Sequence, residues 1–425
     1  MLIHSRSLTF IFKQLKGIKR FFLRHMGKTK KFLRRLHNRA ANSLFSLPKA
    51  DNEISIHAQV IAYPLKELAH LDYSGGLINS TTHKLIAESI YYKEEIPCQH
   101  FTNFNTQENL DLDVPEFEDT CLYIGILFNH YGHFLLESLG RLWAYESVKE
   151  LNPYICFYAP WGVPKYLEEN NYVNQVLTGF KIPHERLIFL EHLVRLKKVV
   201  VPQQKYGYGY LRNPDSVFFN FVKTFSFKDH TPQGFENADK IYVSRAKLPF
   251  SIKGNVCGRA IAESVFEEYL ISNDYKIFYP EFYNLFEQLT VYKNAKKIIF
   301  SSGSALHTCI LLPDLQADVA IISRSQDPGN NLVFEEQFQG YRKTVFWAYA
   351  IRAQYQFGLD SWAALSDIDY YKASILLEKQ GFVDKIFNNF NQHDYSNIVR
   401  SEIQNYIQSI SNDTNFINFM TMLKE

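Results

Sequence analysis

The stretch KKIIFSSGSALHTCILLP, Lys296 to Pro313, decides the fold class. The β-branched and aromatic run Ile298-Ile299-Phe300 reads as a strand buried on both faces. It enters Ser301-Ser302-Gly303-Ser304 and then an apolar segment, 304–312, that predicts a helix stopped by Pro313. Strand, Ser/Gly turn and helix in succession make one unit of an α/β sheet. The turn also suits an anion: glycine lets the backbone come close, serine hydroxyls and free N–H groups donate, and a helix start carries partial positive charge. Many such turns only cap helices, and the spacing here is not that of a Walker loop.

Outward from this unit the pattern repeats. DVAIISR (318–324) follows as a strand. KIYVSRA (240–246), a helix over 259–273, YKIFYP (275–280) and a helix over 281–295 precede it. An earlier set has strand CLYIGILF (121–128), helix 133–149, strand YICFYAP (154–160), helix 164–177 and strands RLIFLE (186–191) and KKVVVP (197–202). The Gly-, Tyr- and Pro-bearing PQQKYGYGYLRNPDS, 202–216, separates the two sets and reads as a linker or hinge. Residues 51–115 contain strand-like runs such as SIHAQVIAYP that the pattern does not order. Beyond about residue 350 the pattern turns helical. The expectation is two α/β domains facing a cleft, over 51–205 and 206–350, with a basic arm over 1–50 and a helical extension over 351–425.

NHYGHFLLESLGRLW, Asn129 to Trp143, spaces His133, Glu137 and Arg141 four residues apart. On a helix they share one face, opposite Leu135, Leu136, Leu139, Leu142 and Trp143. Gly132 at its start would let a ligand or another backbone approach. The alternative is a surface helix with an i,i+4 Glu–Arg pair worth a few tenths of a kcal/mol. In the second set, Arg245 follows a strand end and Arg259 opens the next expected helix, where both could neutralise a diphosphate. Glu263 and Glu287 would contact a sugar or ribose hydroxyl, or cap helices.

As an ordered set these residues resemble glycosyltransferase family 61. VSRAK (243–247), then Arg259, then Ala262-Glu263, then FEQLTVYKNAKKIIFSSGSALHTCILLP (286–313) follow the family's C-terminal signature. Asn129, His133, Glu137 and Arg141-Leu142 are similar to its N-terminal motif. The resemblance spans roughly 120–325 and implies a GT-B fold of two Rossmann-like domains and inverting transfer from a nucleotide sugar. The chain departs from the pattern at Ala262, where Asn is usual, at Ser302, where His is usual, and at Ser304-Ala305, which keeps the small size the turn needs. Inverting transfer needs a base for the acceptor hydroxyl, which makes His133 or Glu137 the candidate catalytic residue. Asn129, Arg141, Arg245, Arg259, Glu263, Glu287, Ser302, Gly303 and Ser304 are the candidate substrate-binding residues.

No metal ligand set is expected. Asp111/Asp113 and Asp367/Asp369 form short Asp-x-Asp patterns that arise by chance, and His130, His133 and Glu137 lack zinc-site spacing. No cofactor is expected to be tightly bound, and a divalent metal is expected to be unnecessary or weakly stimulating.

Charge is split unevenly. Residues 1–50 hold thirteen Lys or Arg and no acid, leaving 33 of the 46 basic residues against all 44 acidic ones. FIFKQLKGIKRFFLRHMGKTKKFLRRL (10–36) mixes these cations with large aromatics. That composition suits an anionic membrane surface, which residues 1–45 are expected to engage, rather than nucleic acid. No apolar run approaches the ~20 residues of a membrane span, and the arm makes a poor secretory signal. The five cysteines are dispersed and read as reduced core residues. The expected protein is a bacterial enzyme peripheral to the inner face of the cytoplasmic membrane, acting on a capsule, lipopolysaccharide or similar lipid-linked acceptor. The competing class is a non-catalytic glycan-binding or scaffold protein on the same fold.

Overall fold

The computed structural model describes residues 53–69, 72–93, 96–97, 99–100, 114–161, 171–207, 214–252, 255–326, 328–340, 344–356, 361–387, 392–411 and 417. The basic arm, Cys98, Asp111 and Asp113 lie outside the described residues.

Two sheets carry the architecture. The first has seven strands, in the order Gln99–His100, Asp72–Asn79, Ile54–Ala69, Val194–Pro202, Glu116–Ile126, Tyr154–Tyr158 and Leu187–Phe189. Ile54–Ala69 pairs antiparallel with both its neighbours, while the four strands from Val194–Pro202 to Leu187–Phe189 are mutually parallel. The residues between 51 and 115 that sequence pattern did not order thus build one flank of this sheet. The second sheet is wholly parallel, in the order Lys276–Phe278, Lys240–Val243, Lys297–Ser301, Asp318–Ile322 and Val345–Ala348. Ile298, Ile299 and Phe300 are fully buried, as a strand covered on both faces requires.

In each sheet the chain lays down strands on one side of a starting strand and then returns to its other side. The reversals occur between Glu116–Ile126 and Val194–Pro202, and between Lys240–Val243 and Lys297–Ser301. Open α/β sheets receive ligands at the carboxyl ends of strands at such reversals. Phe128–His133 leaves the first, and Arg245 and Ser302–Ser304 flank the second. A single apolar cluster joins the sheets, with Leu122, Ile124 and Leu139 of one packed with Ile241, Phe300 and Leu306 of the other.

Several elements differ from the periodicity. The expected helix 133–149 is a chain of short turns: an α-turn over Tyr131–His133, a π-turn over Phe134–Ser138, a 3-10 turn over Leu142–Ala144 and an α-turn over Tyr145–Val148. It is not a surface helix either, because Glu137 and Arg141 are both buried. The break has a local cause. Gly140 lies against the Tyr206 carbonyl so closely that no Cβ would fit, and its own carbonyl accepts from the Lys205 N–H at 2.8 Å. Ser138 Oγ donates to the Ile126 carbonyl at 2.8 Å and accepts the Phe128 N–H at 3.0 Å, pinning the π-turn to the strand end. The described part of the expected hinge is correspondingly packed: Gln204 and Tyr206 are buried, and Tyr206 stacks on Phe218.

The expected helix 259–273 is shorter, Glu263–Ile271, because Arg259–Ala260 pairs as a strand with Leu365–Ser366. Residues 351–425 are not simply helical: Ile351–Tyr355 and Leu365–Ile368 are strands of that same small sheet, and helices Tyr370–Lys379 and Gln392–Ile410 follow. The segment after Gly303 is a 3-10 helix, Ser304–Leu311. No helix among the described residues is long and apolar enough to cross a membrane.

Gly140→Ala forces the Cβ into a backbone carbonyl. It is expected to cost about 1–3 kcal/mol, measured as a lowered urea midpoint at unchanged slope.

Candidate active site

The two reversal points meet at Gly132. A Cβ built there would stand 3.0 Å from His307 Cδ2, 3.2 Å from Ser304 Oγ and 3.4 Å from His130 Cε1. Glycine is what lets the first turn of one sheet's site touch the Ser/Gly turn of the other. Tyr131 OH and Thr308 Oγ1 hydrogen-bond across the same seam at 2.6 Å.

On the first side, the Glu137 side chain is 0% exposed and His133 31% exposed. One Glu137 oxygen accepts the Tyr91 hydroxyl and the other the His133 Nδ1–H. That bond sets the imidazole tautomer and leaves the lone pair on Nε2. The His133 ring rests against Phe128 and His130. His130 accepts the His133 N–H and is pulled down to about 4, first by desolvation and then by the neighbouring His133, His307 and Arg245. Arg141 donates to the carbonyls of Pro202, Glu88 and Ile90 and to Gln204 Oε1. It clamps the segment that carries Tyr91 onto the sheet. Asn129 is exposed on the turn before His130.

On the second side, Arg245 Nη1 lies over Gly303, where any Cβ would collide with it, and Nε and Nη2 donate to the Gly258 carbonyl at 3.3 and 3.0 Å. Arg324, at the carboxyl end of the next strand, donates from Nε to the Ser302 carbonyl at 2.6 Å, and its own N–H donates to Ser302 Oγ at 3.0 Å. Burial, then the charge of Arg245, pulls Arg324 down to about 9. A buried and a half-buried guanidinium in mutual electrostatic range beside a Ser/Gly turn favour an anion between them. Glu263 is fully buried and accepts the Tyr242 hydroxyl at 2.7 Å and the Arg245 N–H at 3.0 Å, while its Oε2 has no hydrogen-bond partner. Its charge offsets the desolvation of both arginines.

The remaining candidates fall elsewhere. Arg259 donates to the Leu248 and Ala246 carbonyls at 3.1 and 2.5 Å and stacks over Phe250, so it holds the 246–250 turn. Glu287 completes a capping box with Asn284. Asp367 lies on a strand beside Arg352. Ala262 adopts the left-handed conformation, φ 54° and ψ 36°, with its N–H donated to Glu402 Oε2 at 2.7 Å. Asn takes this conformation more readily than Ala, so that departure falls on backbone geometry. Ser302 serves as the seat of Arg324.

Four residues of the site were not singled out by sequence. Arg324 obeys the same rule as Arg245, a guanidinium just past a strand end, and that signal was present. Tyr91 sits in the segment without legible pattern. His307 and Gln337 come together only through the tertiary fold.

Residues 131–319 match the family model for Glycosyltransferase 61, and no curated protein matches the chain. The matched span opens at Tyr131, beside the His133–Glu137 pair, and includes Arg245 and the Ser/Gly turn. Residues 131–319 are thus similar to glycosyltransferase family 61, and that match supports a glycosyltransferase enzyme.

Proposed function

We propose that the protein transfers a sugar, with inversion at the anomeric carbon, from a nucleotide sugar to a surface-glycan acceptor. The observation that carries this is the contact at Gly132, which sets the His133–Glu137–Tyr91 chain beside the arginine-covered Ser/Gly turn. A GT-B-type arrangement accords with two sheets whose reversal points meet there.

His133 is the base. Its Nε2 takes the acceptor hydroxyl proton as that oxygen bonds to the anomeric carbon, while the bond from that carbon to the phosphate oxygen breaks and its electron pair leaves with the nucleoside diphosphate. Glu137 orients His133 and stabilises the imidazolium that forms; Tyr91 fixes Glu137. Arg245, Arg324 and the N–H groups of Gly303 and Ser304 receive the departing charge. These guanidiniums fill the role that a tightly held divalent ion serves elsewhere. Arg141, Arg259 and Glu263 are positioning residues.

The acceptor is lipid-linked, in a capsule, lipopolysaccharide or similar glycan, and residues 1–45 bring the enzyme to the inner face of a bacterial cytoplasmic membrane. Their thirteen-to-zero excess of basic over acidic residues through position 50 supports that attachment.

His133→Ala is expected to lower kcat by about 10²–10⁴-fold, the span of general-base contributions, with unchanged thermal melting. Glu137→Gln is expected to lower kcat by roughly 100-fold, because a neutral amide does not stabilise the imidazolium. Full activity in both variants removes the pair from catalysis. Arg324→Ala is expected to weaken nucleoside diphosphate binding by about tenfold or more in calorimetry; unchanged affinity places the diphosphate elsewhere. Removal of residues 1–45 is expected to abolish cosedimentation with anionic vesicles while sparing transfer to a soluble acceptor.

A further inference from the structure

His307 takes no part in the chemistry above, yet it is 6% exposed and stands at the seam. Its Nδ1 is 2.8 Å from Gln337 Oε1. The Gln337 amide is oriented by its Nε2, which donates to the Leu306 carbonyl at 3.4 Å, so Oε1 faces the ring and accepts the Nδ1–H. The ring is therefore locked as the Nδ1–H tautomer with its lone pair on Nε2. Burial holds its pKa down at about 4, so it stays neutral. Phe334 packs against it at 4.8 Å between centroids and limits its rotation.

The ring edge that carries Cδ2, the carbon bonded to Nε2, is turned toward Gly132. Nε2 has no hydrogen-bond partner among the described residues. Nε2 is not a fully enclosed atom, so a molecule entering the site can pair with it. Ser304 Oγ and His130 approach the same point beside Gly132, and the ring is within electrostatic reach of His133 and Glu137. What fits a fixed, neutral, acceptor-only nitrogen there is a hydroxyl that donates its proton.

We propose that His307 Nε2 accepts a hydrogen bond from one hydroxyl of the sugar substrate, making His307 a specificity-determining residue for the transfer. This rests on the catalytic reading above, since it takes the point beside Gly132 to be part of the transfer site. Gln337 is then a positioning residue that keeps the correct nitrogen unprotonated. The hydroxyl belongs either to the transferred sugar or to the acceptor.

The test uses the full chain with a nucleotide sugar that supports turnover, together with monodeoxy analogues of that donor and of the acceptor. His307→Phe keeps the ring but not the acceptor, and is expected to raise one KM by about tenfold without a matching fall in thermal stability. His307→Gln restores an acceptor near the Nε2 position and is expected to recover most of the loss. One monodeoxy analogue should be penalised by the wild type and not by His307→Phe. A donor analogue behaving this way, in acceptor-free hydrolysis as well as in transfer, assigns the hydroxyl to the transferred sugar. An acceptor analogue assigns it to the acceptor. Unchanged KM values in a folded His307→Phe, or deoxy penalties identical in wild type and variant, overturn the proposal while leaving the catalytic reading intact. If His133→Ala and Glu137→Gln keep full activity, the catalytic reading falls on its own account.

Discussion

Everything at this site hangs on the space at Gly132. The turn that follows the first sheet's strand Glu116–Ile126 and the Ser/Gly turn of the second sheet approach to within van der Waals contact there. With any side chain at Gly132, His307 and Ser304 would have to retreat by a few tenths of an ångström or more. The carboxylate–histidine pair proposed as the base would then separate from the turn proposed to hold the leaving group. Positioning errors of about 1 Å are enough to cost ~100-fold in rate. The shared apolar cluster under the seam, with Leu306 packed against residues of both sheets, makes the approach a property of the core and not of loose surface loops.

The charges show how that approach is tolerated. Arg324 is buried and Arg245 half-buried, and like charges so placed are costly unless something compensates. Glu263 supplies part of the compensation from below, bonded to Tyr242 and to the Arg245 N–H. Carbonyl oxygens of Gly258 and Ser302 supply more. Glu267, whose pKa is raised chiefly by burial, extends the network through Ser244 and Tyr279.

How much of this was legible depended on whether the signal was local. The strand at Ile298–Phe300, the Ser/Gly turn and the alternation around them were readable because a buried parallel strand writes itself as an apolar run. The i,i+4 spacing of His133 and Glu137 was readable for the same reason, and the bond between them survives the conversion of the helix to a π-turn. The helix break at Gly140 was not readable, because its cause is a carbonyl 66 positions away in sequence at Tyr206. Arg141 pointed toward a partnership with Glu137 by spacing alone; tertiary structure set backbone carbonyls around its guanidinium. Arg259 was misplaced for a similar reason, since its strand exists only through Leu365, more than 100 residues later.

That last pairing changes what the C-terminal segment is. Arg259 and Ala260 are held in strand form by Leu365 and Ser366, and Ala262 is held in a left-handed conformation with its N–H on Glu402 of the final long helix. Left-handed backbone at alanine costs roughly 1 kcal/mol, so the conformation persists because both ends of the 259–263 turn are anchored by residues beyond 360. Glu263 follows immediately and carries the buried charge beneath Arg245. Ser366 Oγ also donates to the Arg324 carbonyl at 2.6 Å. Both arginines of the anion site therefore depend on residues outside the matched 131–319 span, and the segment after 350 is a structural component of that site.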